Sequence, residues 1–253
     1  MRARNSNIKV VVRSVAKEFA SADPELGLAL QDVNFAIHTN EFVTIVGRSG
    51  CGKSTILNII AGLLTPTAGE TLINGRSIDG PGLDRGMVFQ HSGLFPWLTA
   101  IENIEFGPRN IGTPKAERRA LAQELIELIR MTGFENKYPR ELSGGMQQRI
   151  AIARAMAMDP EILLMDEPFG ALDQLTREDM QRELLRIWES RKKTVLFVTH
   201  GIVEAIYLSD RILVFNPKPG FVRKEFVVNL PRPRQKSSSD FMKYYEEIYA
   251  AIN

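Results

Sequence analysis

The chain contains a single cysteine among 253 residues, which excludes an internal disulfide and favours a reducing compartment. Long apolar runs are also missing: the window ILNIIAGLL is far shorter than the roughly 20 residues that cross a bilayer. The basic opening MRARNSNIKVVVRS has no continuous apolar core, so we expect no secretory signal. We therefore expect neither a disulfide-stabilised nor a membrane-spanning protein.

An excess of one sign of charge is missing too, because 32 basic residues balance 30 acidic ones. The net charge of +2 provides no basic surface for nucleic acid or a bare anionic bilayer, and we expect no nucleic-acid partner. Hydrophobic residues make up 44% of the chain and charged residues 25%, which is ordinary for a globular protein with a sizeable core.

Short apolar runs rich in β-branched residues alternate with helical patterns along the chain. The nearly continuous runs indicate strands buried on both faces, and they are EFVTIVG, MVFQ, ILLMDE, TVLFVTH and DRILVF. This alternation predicts an α/β fold with a mostly parallel central sheet. At the front, IKVVVRSVAKEF and ALQDVNFAIH are separated by turn-like breaks, which predicts an N-terminal antiparallel β part.

The domain organisation follows from the absence of a Ser/Gly linker before residue 235, which predicts one domain over 1–253. We expect its catalytic core at about 1–90 and 158–230 and a helical insertion at about 91–157. A C-terminal amphipathic helix is predicted at about 240–252. Its apolar residues are Phe241, Tyr244, Tyr245, Ile248 and Ile252.

The segment GRSGCGKS matches the pattern G-x-x-x-x-G-K-[ST], follows a strand and opens a helix. Glycines at 47, 50 and 52 let the backbone wrap a phosphate and permit positive φ, and the helix start near Lys53 attracts an anion. The Lys53 ammonium suits the outer phosphates, and the Ser54 hydroxyl can ligate Mg²⁺. The alternative is a glycine-rich turn with a chance lysine. Predicted phosphate-binding residues are Gly47, Arg48, Ser49, Gly50, Cys51, Gly52, Lys53, Ser54 and Thr55.

Cys51 lies within this loop, where a phosphate contacts the backbone and the type of side chain does not matter. We therefore do not expect Cys51 to act as a nucleophile.

A phosphate loop also needs a strand that ends in acidic residues, and ILLMDEP supplies it. Asp166 emerges there at the carboxyl end of a buried strand. Asp166 can hold Mg²⁺, and the neighbouring Glu167 can polarise a water that attacks the γ-phosphate. The alternative for two adjacent acids at a strand end is a solvated turn.

The segment LSGGMQQR predicts a second anion-binding helix start. Ser143 is a good N-cap, and Gly144 with Gly145 allows a close backbone approach. The pattern leaves open whether this helix and the P-loop share a ligand within one chain or across two.

With these motifs in order, the whole chain resembles the ATP-binding subunits of ABC transporters, in which LSGGMQQR is the signature motif. The resemblance implies a P-loop NTPase fold, ATP and Mg²⁺, and a head-to-tail dimer with a second copy. In that family the signature segment closes over the γ-phosphate of ATP bound to the partner's P-loop.

Further roles are implied residue by residue by this resemblance. Phe19 matches the aromatic residue that stacks on adenine, and the alternative is a phenylalanine of the core. Gln90 matches the glutamine that contacts Mg²⁺ and water, and the alternative is an amide on an edge strand. Asp173 matches the acid of the loop that crosses to the partner, and His200 matches the switch histidine at the γ-phosphate. The implied catalytic residues are Glu167, His200 and Gln90, the metal ligands are Ser54, Gln90 and Asp166, and the remaining ATP contacts are Phe19, Ser143, Gly144, Gly145 and Asp173.

Two positions depart from the family pattern. Gly201 stands where an acidic residue usually follows the histidine, so we expect a looser helix start with an intact histidine role. Gly170 stands where many relatives have serine. The basic stretch PRPRQKSSSD, which includes part of the family-like segment LPRPR, is expected to be a solvated connector.

The segments LFPWLTAIENIEFG, MDEPFGALDQLTR and VTHGIVEAIYLSDRI resemble the nitrate, aliphatic sulfonate and taurine importer group. This implies a peripheral subunit on the cytoplasmic side of the membrane, which works with membrane permease subunits and, indirectly, a solute-binding protein. Leu94, Phe95, Pro96 and Trp97 form an apolar cluster that suits a groove for a permease helix, or that caps the insertion's own core. Two competing interpretations are a soluble ABC-type ATPase acting on a macromolecule and a small P-loop kinase; the signature segment disfavours the kinase.

Overall fold

The structure is a computed structural model that describes residues 8–20 and 27–253. The chain divides into two compact units, of which the first comprises Met1–Gly82 with Lys193–Asn253 and the second comprises Leu83–Lys192. Each unit carries part of the predicted site, and each is described by itself.

The first unit opens with an antiparallel sheet. Strand β1 (Ile8–Glu18) pairs with β2 (Leu28–His38), as the sequence predicts. On its other side β1 pairs with Ala68–Ile73, which the sequence analysis did not identify as a strand. Because buried and more exposed residues alternate over much of β1, one face of this sheet is packed and the other is open.

The buried sheet of the same unit is built around β3 (Phe42–Val46), all of whose residues are buried. It pairs in parallel with a strand at Thr194–Thr199 and with another at Arg211–Phe215. These pairs confirm the prediction of a mostly parallel sheet. In chain order the later strands are β4 (Ala68–Ile73), β5 (Arg76–Ser77), β6 (Arg85–Val88), β7 (Ile162–Asp166), β8 (Thr194–Thr199), β9 (Arg211–Phe215) and β10 (Val222–Val227).

The second unit contains the parallel pair β6 and β7, in which Val88 lies opposite Met165. One of its helices begins in the signature segment, and a short 3₁₀ turn at Pro139–Glu141 precedes that segment. In chain order the α-helices are α1 (Lys53–Ala61), α2 (Ala100–Asn110), α3 (Lys115–Leu128), α4 (Gly144–Met156), α5 (Gln174–Arg191), α6 (Ile202–Leu208) and α7 (Ser239–Ile252).

The C-terminal helix α7 is amphipathic and begins at the N-cap Ser238, whose hydroxyl accepts a hydrogen bond from the Phe241 N–H. Phe241 and Ile248 are buried, while Tyr249 is largely exposed. Of the helices in the described parts of the chain, none combines the length and hydropathy that a membrane span requires.

Candidate active site

The phosphate loop follows β3 directly and ends at Gly52, the N-cap of α1. Gly52 has φ of 90°, and a Cβ there would lie 2.5 Å from Cδ2 of Leu30. Glycine is therefore required by both conformation and space. Among the described side chains, none caps α1, so no side-chain cap competes with an anion for the first-turn N–H groups.

The positive φ that glycine permits is used at two of the three loop glycines. Gly50 and Gly52 have positive φ, but Gly47 does not. At Gly47 the constraint is space, because a Cβ would lie 2.8 Å from Sγ of Cys51.

Lys53 lies inside the loop that it is predicted to serve. Its Nζ donates hydrogen bonds of 3.0 Å to the carbonyl oxygens of Gly47 and Arg48, and the side chain is 5% exposed. Ser54 follows it in the first turn of α1 and is exposed. A phosphate in this loop meets a positive charge that is shielded from water, which strengthens the attraction.

The surroundings of Cys51 agree with its predicted lack of a chemical role. The side chain is 1% exposed, and this burial raises the pKa of the thiol even though the Lys53 ammonium opposes the shift. Since the thiolate is the reactive form, Cys51 is poorly suited to nucleophilic chemistry.

His200 leaves the sheet beside the phosphate loop. Strands β3 and β8 run parallel, with Val46 opposite Thr199. Gly47 and His200 are the next residues of the two strands, so both emerge at the same edge, where open α/β sheets bind ligands. His200 is exposed there.

Gly201 does not leave the start of α6 unsupported. The Gly201 N–H donates a 3.0 Å hydrogen bond to Oγ1 of Thr199, and the Thr199 hydroxyl in turn donates to Glu204. Glu204 lies in the first turn, where a negative charge is favourable. A carboxylate near the helix start is thus present, four residues after the histidine instead of one.

Phe19 lies just past the end of β1 and its side chain is 43% exposed, so the core alternative is wrong. The Lys17 ammonium lies 5.3 Å from the centre of its ring. An exposed aromatic ring with a cation beside it is suited to stacking on a planar, electron-rich partner.

In the second unit, Asp166 is the last residue of β7 and Gln90 lies two residues past the end of β6, at the same edge of this parallel pair. A Cβ at Gly170 would lie 3.0 Å from Nε2 of Gln90 and 3.3 Å from the carbonyl oxygen of Glu167. Glycine at 170 therefore allows the amide of Gln90 to lie against the turn that follows β7, which gives a physical reason for this departure from serine.

Glu167 has φ of 44°, a conformation that a non-glycine residue rarely adopts. The turn is closed by the Gly170 N–H, which donates a 2.9 Å hydrogen bond to the Glu167 carbonyl. Asp166 and Glu167 are both half-buried. Strain of this kind costs on the order of 1–3 kcal/mol and is concentrated at functional sites.

The signature segment opens α4 in the way that the sequence predicts. Ser143 is the N-cap, and its hydroxyl accepts a 3.3 Å hydrogen bond from the Met146 N–H. Ser143 and Gly144 are exposed, whereas Gly145 is buried with Thr176 behind it. A cavity of about 200 Å³ opens beside this helix start.

Sequence reasoning missed three side chains of α4 that hold the segment around Gln90. Gln148 is buried and donates a 3.2 Å hydrogen bond to the Phe89 carbonyl, while Gln147 accepts one of the same length from the Ser92 hydroxyl. Arg154 donates to the carbonyls of Ser92 and Gly93 at 3.0 and 2.8 Å. Gln147 and Arg154 are seven residues apart and therefore share one face of α4, and this spacing was the available signal.

Asp173 has a local role at the start of α5. Its carboxylate accepts a 3.1 Å hydrogen bond from the Thr176 N–H, and hydrogen bonds from the hydroxyl and N–H of Thr176 lower the pKa of Asp173. The side chain is exposed, and Leu175 beside it is 77% exposed. This segment therefore presents a charged and an apolar side chain to the surroundings.

The aromatic cluster shows the packing role that its sequence left open, while its role as a docking surface stays a prediction. Phe95 packs on Phe106 of α2, with ring centroids 4.2 Å apart, and so caps the helical part of its own unit. Trp97 is 69% exposed. The buried Asn103 holds the loop by accepting from the Phe95 N–H at 2.8 Å and donating to the carbonyl of Leu98 at 3.0 Å.

Comparison with known proteins places this geometry in a family. The model of the ABC transporter family matches residues 30–170, more than half of the chain. The chain is 46% identical to a nitrate import ATP-binding protein of Synechocystis, over 89% of this chain and 88% of that one. It is also 46% identical to an aliphatic sulfonates import ATP-binding protein of Bacillus cereus, over 94% of both.

A taurine import ATP-binding protein of Roseobacter denitrificans is 48% identical over 78% of this chain and 74% of its own length. Among solved structures, a dimeric ATP-binding cassette in a post-hydrolysis state, bound to ADP and Pi, has a TM-score of 0.73 and 38% identity, covering 87% of this chain and 99% of that one. The chain belongs to the ABC transporter family, as one of its ATP-binding and ATP-hydrolysing subunits.

Proposed function

We propose that this subunit powers the uptake of a small solute of the nitrate, sulfonate or taurine type through a separate membrane permease. The observation that carries the proposal is the 46–48% identity to three import ATP-binding proteins over most of the chain. In this proposal the whole chain works as one cassette, held at the cytoplasmic side of the membrane by its partners.

Nucleotide binding falls to Phe19 and the phosphate loop. The exposed ring of Phe19 stacks on adenine, where a phenyl face serves as well as a phenol. Lys53 turns its ammonium from the carbonyls of its own loop to the outer phosphates, while the uncapped N–H groups of α1 take the remaining charge. Nucleotide binding therefore uses the Lys53 charge together with the backbone N–H groups of α1.

The predicted Mg²⁺ ligands are a hydroxyl, a carboxylate and an amide oxygen, from Ser54, Asp166 and Gln90. Three oxygen donors from side chains are the kind of set that Mg²⁺ accepts, with waters and phosphate oxygens filling the other positions. When bound, the ion neutralises part of the phosphate charge. No group of thiols or histidines in the described residues points to a different metal.

Hydrolysis falls to Glu167, Gln90 and His200. The half-buried Glu167 carboxylate accepts a proton from the attacking water, and the Gln90 amide orients that water. His200, at the edge shared with the phosphate loop, donates a hydrogen bond to the γ-phosphate. General-base catalysis of this kind typically contributes about 10²–10⁴ in rate.

A second copy of the chain completes each site in this proposal. The helix start formed by Ser143, Gly144 and Gly145, of which Ser143 and Gly144 are exposed, caps the γ-phosphate of the partner's ATP. The segment at Asp173 crosses to the partner. ATP favours the closed dimer because it touches both copies there and one copy when open. Loss of the γ-phosphate removes the shared contact, so the dimer reopens.

Coupling to transport is assigned to the surface around Trp97. Its side chain is largely exposed on a loop fixed by Asn103, which suits a short permease helix in an apolar groove. The neighbouring segment is hydrogen-bonded to α4 through Gln147, Gln148 and Arg154. A displacement of this surface by the permease is therefore transmitted to the signature helix.

The test is transport by the assembled complex in proteoliposomes, with nitrate, aliphatic sulfonates, taurine and small heterocycles as the panel. We expect one solute, presented on its binding protein, to stimulate ATP hydrolysis and to accumulate inside. The Glu167→Gln variant is the control that binds ATP but does not transport.

A cheaper experiment separates the proposal from a soluble ATPase that acts on a macromolecule. The chain is purified from native membranes with and without detergent. Recovery in the detergent fraction together with hydrophobic subunits supports the proposal, whereas recovery with ribosomes or nucleic acid contradicts it.

A further inference from the structure

Helix α6 follows His200 and is only seven residues long, Ile202–Leu208. A helix this short is unstable by itself, because nucleation costs more than so few hydrogen bonds return. The contacts at its two ends therefore determine how firmly the backbone that follows His200 is held in position.

At the start of α6 the fixed points lie on both sides of the histidine. Thr199 precedes it and Gly201 follows it, and the Gly201 N–H donates to the Thr199 hydroxyl oxygen at 3.0 Å. That hydroxyl donates to the carboxylate of Glu204, whose side chain is 8% exposed. Glu204 thus closes a hydrogen-bonded loop around the backbone of His200.

At the end of α6 the fixed point comes from the stretch that the sequence predicted to be a solvated connector. That prediction is wrong at Arg232 and Arg234, although most of the other residues of the stretch are exposed. Arg234 is 5% exposed, and burial lowers the pKa of its guanidinium to about 10, so it stays charged at neutral pH. It donates to the carbonyl oxygens of Ile206, Tyr207 and Ser209, with distances to the latter two of 3.4 and 2.6 Å.

The neighbouring Arg232 completes this end. It donates to the Leu208 carbonyl and forms an ion pair of 2.8 Å with Asp210, which itself accepts a hydrogen bond from the N–H of Phe42 at the start of β3. The last carbonyls of a helix have no partners within it, and a positive charge beside them is favourable. Two arginines therefore anchor the end of α6 to the sheet that carries the phosphate loop.

We propose that Glu204 and Arg234 are positioning residues for His200, each holding one end of the short helix that sets its backbone. The proposal rests on the proposed role of His200 at the γ-phosphate. It assigns a use to the LPRPR stretch and explains how the chain works with glycine at 201.

The experiment is a set of double-mutant cycles on the purified full-length chain with Mg-ATP. Glu204→Ala and Arg234→Met are measured alone and combined with His200→Ala. We expect each single variant to lower kcat about tenfold, as small misplacements do, and to change KM for ATP by no more than about twofold. In the His200→Ala background neither change should cost more than about twofold further.

Conservative variants and surface controls separate positioning from general stability. Glu204→Gln keeps an oxygen for Thr199 and Arg234→Lys keeps the charge, so both should recover most of kcat. Glu246→Gln and Arg223→Gln, at exposed positions, should match the wild type. If Arg234→Met does not fold, Arg234→Lys and Glu204→Ala carry the test.

A spectroscopic readout is available because the chain has three histidines. In the Glu167→Gln background, ATP should shift the imidazole resonance that His200→Ala removes, and Glu204→Ala should abolish that shift while leaving the other two histidines unchanged.

Two results overturn the proposal and are distinguishable. Equal fold losses in the wild-type and His200→Ala backgrounds mean that Glu204 and Arg234 support the fold without acting through His200. Wild-type turnover in His200→Ala alone removes the role of the histidine itself, and with it this part of the proposed function.

Discussion

The two helix starts of this protein that are suited to a phosphate are built differently. At α1 the N-cap is Gly52, and none of the described side chains caps the helix. At α4 the N-cap is Ser143, whose hydroxyl already accepts from the Met146 N–H. Lys53 places a buried charge in the first site, whereas the exposed start of the second carries no cation in its first turn.

We infer a division of labour from this difference. A site with an uncapped helix start and a buried ammonium can hold a phosphate by itself, because the helix N–H groups and the positive charge lie in one loop. An exposed, capped and neutral helix start attracts the same group more weakly and suits a surface that adds to an existing complex. The phosphate loop therefore fits the primary binding role and the signature segment the role of a second contact.

The largest effect is expected for Glu167→Gln. Removing the carboxylate that accepts the proton should lower ATP turnover by about 10²–10⁴ while nucleotide binding stays intact. Dimer should then accumulate with Mg-ATP, measured by light scattering. Glu189→Gln, at an exposed position of α5, is the matched control. If Glu167→Gln stayed monomeric under saturating Mg-ATP, the role given to the helix start of α4 would be contradicted, because it would have no γ-phosphate to contact.

Lys53→Ala tests the first helix start. The lost charge-assisted hydrogen bonds are worth roughly 1.5–3 kcal/mol, so the Kd for ATP should rise about 10- to 150-fold in a fluorescence titration. Lys243→Ala removes an exposed charge of the same kind and should change nothing. An unchanged Kd for Lys53→Ala would contradict the phosphate contact.

Ser143 offers a matched pair for the second helix start. Asp and Asn cap helices about as well as Ser, so Ser143→Asp and Ser143→Asn should both keep the Tm of the wild type. The aspartate adds a negative charge where the γ-phosphate is proposed to lie. We expect ATP binding by the monomer to persist in both and the ATP-driven dimer to be lost in Ser143→Asp. Equal dimerisation of the two variants would show that α4 does not meet the phosphate.

The smallest effect on hydrolysis is expected for Trp97→Ala, which lies outside both helix starts. Because Trp97 is 69% exposed, stability should change by no more than about 0.5 kcal/mol and the ATPase activity of the isolated subunit should be kept. Association with the permease should fall, measured by co-purification. Phe95→Ala is the contrasting variant, since its ring packs on Phe106 and its loss should lower Tm. Equal co-purification of Trp97→Ala and wild type would exclude this surface as the docking site.

The sequence predicted those parts of the fold whose signals are local. Continuous apolar runs located β3, β7, β8 and β9, and the N-cap at Ser143 follows from the residue type. The strands β4 and β10 were not predicted because at least half of the residues in each are exposed and charged residues interrupt the apolar pattern. Strands with so few buried apolar residues carry a weak hydrophobic pattern, because β-propensity depends on the packing around each side chain.

The candidate site shows the same limit at the level of side chains. The exposure of Phe19 and the contact of Gln148 with Phe89 depend on segments far apart in the chain. No spacing rule connects positions 148 and 89. The residues of the phosphate loop, by contrast, are contiguous and share one turn.

The sequence alone determined that this chain forms a phosphate loop, a strand followed by two acidic residues and a serine-capped helix, because each feature is encoded by adjacent residues. The tertiary structure decided what supports them: that Gly170 leaves room for Gln90, and that Arg234 is buried at the end of α6. The physical reason is that a buried polar group must find partners wherever the fold supplies them. Those partners lie 28 residues apart in the chain for Arg234 and Ile206 and 168 residues apart for Asp210 and Phe42.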